Sequence, residues 1–215
     1  PLQVYAAKNT DEKIRMHSSS GGVFSILAEQ TIKQGGVVFG ARFDENWEVK
    51  HDYTETIDGV SVFRGSKYVQ SKTGDTFKQA EQFLKQNRKV HSSGTPCQIV
   101  ALKRYLKKEY ENLLLVDFIC HGVPSPGVWR KYLKQVIALT CDKNTVSSHL
   151  KLLLSERNAL VEGISFRDKR LGWQKYSFSL TLSTTDESGN KNTVSLSESL
   201  NENLFMRGFL ANMYL

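Results

Sequence analysis

Between Lys89 and Cys120 the chain reads strand, loop, helix, strand in quick succession, and that order constrains the fold more than any other feature. "KVHS" is a short β-run, "SGT" is small and polar, "PCQIVALKRYLKKEY" has helical periodicity and "NLLLVDFIC" is a continuous apolar run. A strand that re-enters its sheet through a helix lies parallel to its predecessor, with a right-handed crossover. The chain is therefore expected to be α/β (α+β), with a βαβ unit over residues 88–119. Its ligand-binding loops should lie at the carboxyl edge of the strands.

The flanking segments fill in a mixed β-sheet with flanking helices. "SSSGGVFSILAEQTIKQGG" reads as a helix with serines at its entrance, Val23, Phe24, Ile26, Leu27 and Ile32 inside, and Gly35-Gly36 as its stop. "GVVFGARF" and "EVKHDYTE" read as two strands, antiparallel to each other, and "DTFKQAEQFLKQN" as an amphipathic helix. "SPGVWRKYLKQVIALT" is a helix with Ser125 as N-cap and Pro126 in the first position. Residues 160–199 alternate polar and apolar around "DESGNK", a β-hairpin or meander, and "ESLNENLFMRGFLANMYL" is a final helix. Residues 1–215 are read as one domain. The first residue is Pro1, so the chain is expected to be a piece of a longer one.

A net charge of +7 favours an anionic partner such as a nucleotide, a phosphate or an acidic protein. The 29 Lys and Arg are scattered, which argues against nucleic acid. No apolar run approaches the length of a membrane span, no signal-peptide pattern is present, and three cysteines make a poor disulfide framework. The expected compartment is the cytoplasm.

Those cysteines carry the chemistry. Thr95 can cap the helix, with Pro96 first and Gln98 in the capping-box position, so Cys97 falls in the first turn, where free N–H groups stabilise a thiolate. Cys120 ends the next strand. Two thiols at one sheet edge suggest a shared site, whereas Cys141 has no such setting and reads as structural. Two other readings stay open: a buried, inert cysteine, and a nucleophilic Cys97 or Cys120 with His121 as base. That dyad lacks a clear orienting group, since the side-chain direction of Asp117 is not fixed by the sequence.

Two further loops suit a phosphorylated ligand. "RMHSSSGGVF" sets Ser18, Ser19, Ser20, Gly21 and Gly22 before a helix, with Arg15 nearby, but matches neither phosphate-loop nor dinucleotide fingerprints. "RGSKYVQS" adds Ser66, Lys67, Tyr68 and Gln70, a combination suited to a flavin nucleotide.

In that order, "SSSGGVF", "GSKYVQS", "SGTPCQI" and "CHGVPSP" resemble the coenzyme F420 hydrogenase/dehydrogenase beta-subunit family. The likeness is strong from Arg15 to Tyr132 and looser through "FRDKRLGW" and "LFMRGFLANMYL". It implies an iron–sulfur flavoprotein oxidoreductase passing electrons between FAD, a [4Fe–4S] cluster and a carrier, the deazaflavin coenzyme F420 in archaeal members. Its partner would be a redox protein or ferredoxin-like module. By that resemblance Cys97 and Cys120 are cluster ligands, and the serine–glycine loop, the "GSKY" segment and Thr95 line the flavin. Relatives also carry an N-terminal ferredoxin-like cysteine module and cysteines beyond the segment matching "RGFLANMYL". A [4Fe–4S] cluster takes four thiolates, so this fragment is expected to hold an incomplete cluster or none. Outside the resemblance, two functions remain: a Cys-dependent transferase or hydrolase, and a non-enzymatic basic module binding an anionic partner.

Overall fold

The computed structural model describes residues 3–141, 160–185 and 191–211. The chain clusters into two compact units, Pro1–Gly122 and Val123–Leu215.

The first unit contains α1 (Glu12–Met16), α2 (Val23–Lys33), β1 (Val37–Phe43), β2 (Val49–Thr54), a 3-10 helix (Asp58–Phe63), α3 (Thr76–Lys85), β3 (Val90–Gly94), α4 (Pro96–Leu106) and β4 (Leu113–Asp117). Its sheet has the order β2-β1-β3-β4, with β1, β3 and β4 parallel and β2 antiparallel on the edge. The expected βαβ unit is therefore present, as β3-α4-β4. Strand alternation sends Val37, Phe39 and Val90 to one face, against Ala80 and Leu84 of α3 and Leu102 and Leu106 of α4. Val38 points to the other, into a cluster with Ala28 of α2 and Val60 and Phe63 of the 3-10 helix. Helices thus cover both faces and leave the carboxyl edge of β1, β3 and β4 to loops.

Several element ends differ from the sequence expectation. α2 starts after Gly22, which is in the left-handed region at φ 77°, so the N-cap position is held by a glycine rather than by one of the serines. It packs through its small residues: Ser25, Ala28 and Thr31 are buried, while Ile26 is exposed rather than inside. α4 stops at Leu106 because Lys107 turns left-handed at φ 58°, short of the expected Tyr110. β4 stops at Asp117, paired with Gly94. Past Gly94 the neighbouring chain becomes α4, so Phe118, Ile119 and Cys120 have no strand to pair with and stand exposed.

The second unit contains α5 (Pro126–Cys141), β5 (Leu160–Asp168), β6 (Ser177–Thr185), β7 (Lys191–Ser199) and α6 (Leu204–Leu210). Ser125 caps α5 as expected, accepting from Val128 N–H at 3.3 Å. β5, β6 and β7 form the expected antiparallel meander; the "DESGNK" turn falls largely outside the described residues. The unit is built on Trp129, whose ring centroid lies 5.1 Å from Phe205 and 5.2 Å from Phe166. α6 is much shorter than expected because Glu198 and Ser199 belong to β7. Asn203 caps it, accepting from Met206 N–H at 3.0 Å, and its amide donates to the Tyr132 hydroxyl and to Glu198, each at 2.7 Å.

Candidate functional site

The sheet brings the sequence-predicted residues of the first unit toward one edge. Gly94 and Asp117 are ladder partners, and each cysteine lies three residues beyond its own strand end, Cys97 after β3 and Cys120 after β4. Both thiols are exposed. The Thr95 hydroxyl is 3.1 Å from Cys97 Sγ, and Gly122 N–H donates to Cys120 Sγ at 3.4 Å. The Cys120 thiol in turn faces the Gly122 carbonyl at 3.9 Å.

The loop before α2 reaches the same edge, because the tight Gly35-Gly36 connection puts the end of α2 at the start of β1. Gly22, the residue before the first turn of α2, offers that turn's amides no side-chain cap. The loop is fixed from below: Asn9 gives its backbone N–H to the Gly21 carbonyl at 2.7 Å, Arg15 donates to the Asn9 carbonyl at 2.9 Å, and the Ser18 hydroxyl donates to Ile14 O at 2.7 Å. A Cβ on Gly22 would meet Asn9 Cβ at 3.1 Å and Ser18 Oγ at 3.3 Å, so only glycine suits both the conformation and the space. The "GSKY" segment joins this loop directly, with Ser66 N–H donating to Ser19 Oγ. Arg64 ties it to α2 through Ser25 Oγ at 2.9 Å and Glu29 at 3.8 Å.

Lys67 does not extend its charge into open space. Its ammonium donates to the carbonyls of Arg64 (2.9 Å), Gly65 (3.1 Å) and Phe63 (3.3 Å), closing the turn on itself. Burial pushes its pKa down to about 7, while three carbonyl acceptors favour the charged form. Ser20 and Tyr68 also lie in these two loops, and Gln70 is exposed.

Sequence reasoning missed a hydrogen-bonded chain that holds the Thr95 turn. His51 Nε2 faces the Ser93 carbonyl at 3.2 Å, and Ser71 Oγ is 2.8 Å from His51 Nδ1. The Gln98 amide donates to Ser71 Oγ at 2.8 Å, and Gln98 Oε1 accepts from Thr95 N–H at 3.0 Å. Both ends fix the direction. The Ser93 carbonyl only accepts, so Nε2 carries the proton, Nδ1 accepts, and Ser71 donates to it. Burial lowers the His51 pKa; the Ser93 carbonyl opposes this and the Lys67 charge adds to it. Only Gln98 was marked in the sequence, as a capping-box partner. His51 and Ser71 come from β2 and the segment after "GSKY", and no local spacing links them to α4.

The first unit is thus a three-layer α/β fold with small-residue loops and two exposed thiols beyond the carboxyl ends of its parallel strands. Two family models match the sequence. One describes the N-terminal part of the coenzyme F420 hydrogenase/dehydrogenase beta subunit and matches residues 4–78; the other describes the C terminus of that subunit and matches residues 87–192. The chain belongs to the coenzyme F420 hydrogenase/dehydrogenase beta-subunit family, a family of oxidoreductase subunits. A search of the curated proteins finds no match. Among solved structures, the chain is similar to one from the xenon-derivatized F420-reducing [NiFe] hydrogenase complex of Methanosarcina barkeri. Identity is 18%, the TM-score is 0.49, and the match covers 87% of this chain and 58% of that one. No described helix is long and apolar enough to cross a membrane.

Proposed function

We propose that this chain is the core of a flavin and iron–sulfur oxidoreductase that passes electrons between FAD, a [4Fe–4S] cluster and a carrier such as a deazaflavin. The observation that carries the reading is that two exposed thiols each follow, by three residues, the ends of paired parallel strands, in a unit whose α2 opens on a left-handed glycine.

The residues present fit both groups. For the flavin, the α2 amides and Gly21-Gly22 would hold phosphate, while Ser19 and Ser66 keep the two loops together. Lys67 would act by stiffening its turn and by its field. For the cluster, Cys97 and Cys120 would supply thiolates, with Thr95 and Gly122 as hydrogen-bond donors to sulfur. No group of three or more metal-binding side chains occurs among the described residues, so these two thiols are half of the usual set. When bound, the flavin would exchange a hydride and the cluster single electrons; the chain's own task is to position them and exclude competing reactions.

The test is anaerobic titration of the chain with FAD, followed by iron and sulfide reconstitution. The expected results are quenched flavin fluorescence, weakened about tenfold or more in Gly22→Val, and iron uptake that falls in Cys97→Ser and in Cys120→Ser. No FAD uptake, together with iron uptake indifferent to both cysteines, would sink the reading.

A further inference from the structure

We propose that the outer side of α4 is a docking surface for an acidic redox protein, with Cys97 at its apolar end and a cluster of cations at the other. This rests on the reading of Cys97 as part of an electron path.

Ile99, Leu102 and Leu106 are the buried side of α4, which fixes what faces outward. Cys97, Val100, Ala101 and Arg104 share the outward stripe, Val100 and Ala101 three and four residues after Cys97 and Arg104 four and three residues after them, and all four are exposed. The helix rises ~1.5 Å per residue, so Arg104 lies ~10 Å along the axis from Cys97. The half nearest the thiol is apolar, with Val100 46% exposed. The far half is cationic, because Lys103 and Lys107 flank Arg104; Lys108, past the helix end, lies with its ammonium 4.6 Å from the Tyr110 ring centroid. Lys103, Arg104 and Lys107 have no ion-pair partner among the described residues. The nearest acids in sequence, Glu109 and Glu111, come only after the helix has ended.

An apolar contact at the redox group, with uncompensated charge about two turns away, suits a brief encounter. Charge steers approach and sets orientation, and a small dry contact lets the partner leave. The sign of the charge makes the partner acidic. A nucleic acid would instead want cations along the whole stripe, including the end that here carries Val100 and Ala101. The surface is also rigid, since the Gln98–Ser71–His51 chain pins the first turn from the inner side.

The test uses the full chain and, as probe, a plant-type [2Fe–2S] ferredoxin, a small acidic protein, with affinity measured by calorimetry at low and moderate salt. Lys103→Glu/Arg104→Glu should weaken binding about tenfold or more, and Lys103→Gln/Arg104→Gln by a smaller factor. A control of equal charge change elsewhere, Lys33→Glu/Lys78→Glu, should change it less than about twofold, and added salt should weaken the parent. Equal losses in the α4 and control pairs, no binding by the parent, or tighter binding of a short oligothymidine strand would each overturn the proposal. Circular dichroism checks that the variants are folded. Binding is read whether or not flavin or iron is taken up, so this inference and the electron-transfer reading fail separately.

Discussion

His91 is fully buried in β3, its ring 5.7 Å from Phe24, and both ring nitrogens lack a hydrogen-bond partner among the described residues. Burial pushes its pKa from 6.5 down to about 4. Between those values the unfolded chain binds a proton that the folded chain does not, so stability should fall as pH drops through the window. At pH 5 this one group costs about 2 kcal/mol. His91→Leu should remove that share of the acid loss and, by deleting two unsatisfied nitrogens, raise the midpoint at pH 7 as well. Urea unfolding at pH 7 and pH 5 measures both, and an unchanged acid loss would refute the assignment. The sequence places this histidine in "KVHS" without distinguishing a core position from a functional one. Which face it occupies depends on register with β1 and β4, and that is a property of three strands together. The position of Cys97 in the first turn of α4 was more legible, because helix-start chemistry is local, whereas Cys120 was expected to end a strand that stops at Asp117.

At the scale of elements, the connection between α2 and β1 shows how neighbouring glycines differ. Gly35 is left-handed at φ 74° with nothing near an added Cβ, so Gly35→Ala should cost about 1 kcal/mol. At Gly36 a Cβ would lie 2.7 Å from the Lys89 carbonyl and 2.6 Å from Thr31 Cγ2, so Gly36→Ala should cost about 3 kcal/mol. Thermal melts of the two variants give the ranking. The chain through Ser71 makes a second prediction. Ser71→Ala leaves His51 Nδ1 and the Gln98 amide unpaired and should cost about 1–2 kcal/mol, while Ser71→Thr keeps the hydroxyl and most of the stability. Denaturant titration distinguishes the pair. Strand and helix identities were readable from period and punctuation. Their ends were not: α4 ends on a lysine in the left-handed region, and β4 ends where its partner turns away, neither of which has a residue signature.

At the scale of the molecule, the two units rest on different cores, mixed aliphatic and aromatic around the first sheet and dominated by aromatic rings around Trp129. Trp129→Ala should cost about 3–5 kcal/mol and collapse the near-ultraviolet dichroism of that aromatic cluster. The alternation in residues 160–199 announced the meander, but not the way Trp129, Phe166, Phe178 and Phe205 converge from four elements. The pairing of Gly94 with Asp117 has a consequence for how such a chain tolerates change. Because both thiols are counted from one rung of the ladder, the entropy of bringing two distant loops together is met when β3 and β4 zip, before any ligand arrives. Substitutions in the core leave that count intact. A one-residue insertion after Gly94 or Asp117 moves one sulfur and not the other, so length, more than composition, is the constrained quantity in these two loops.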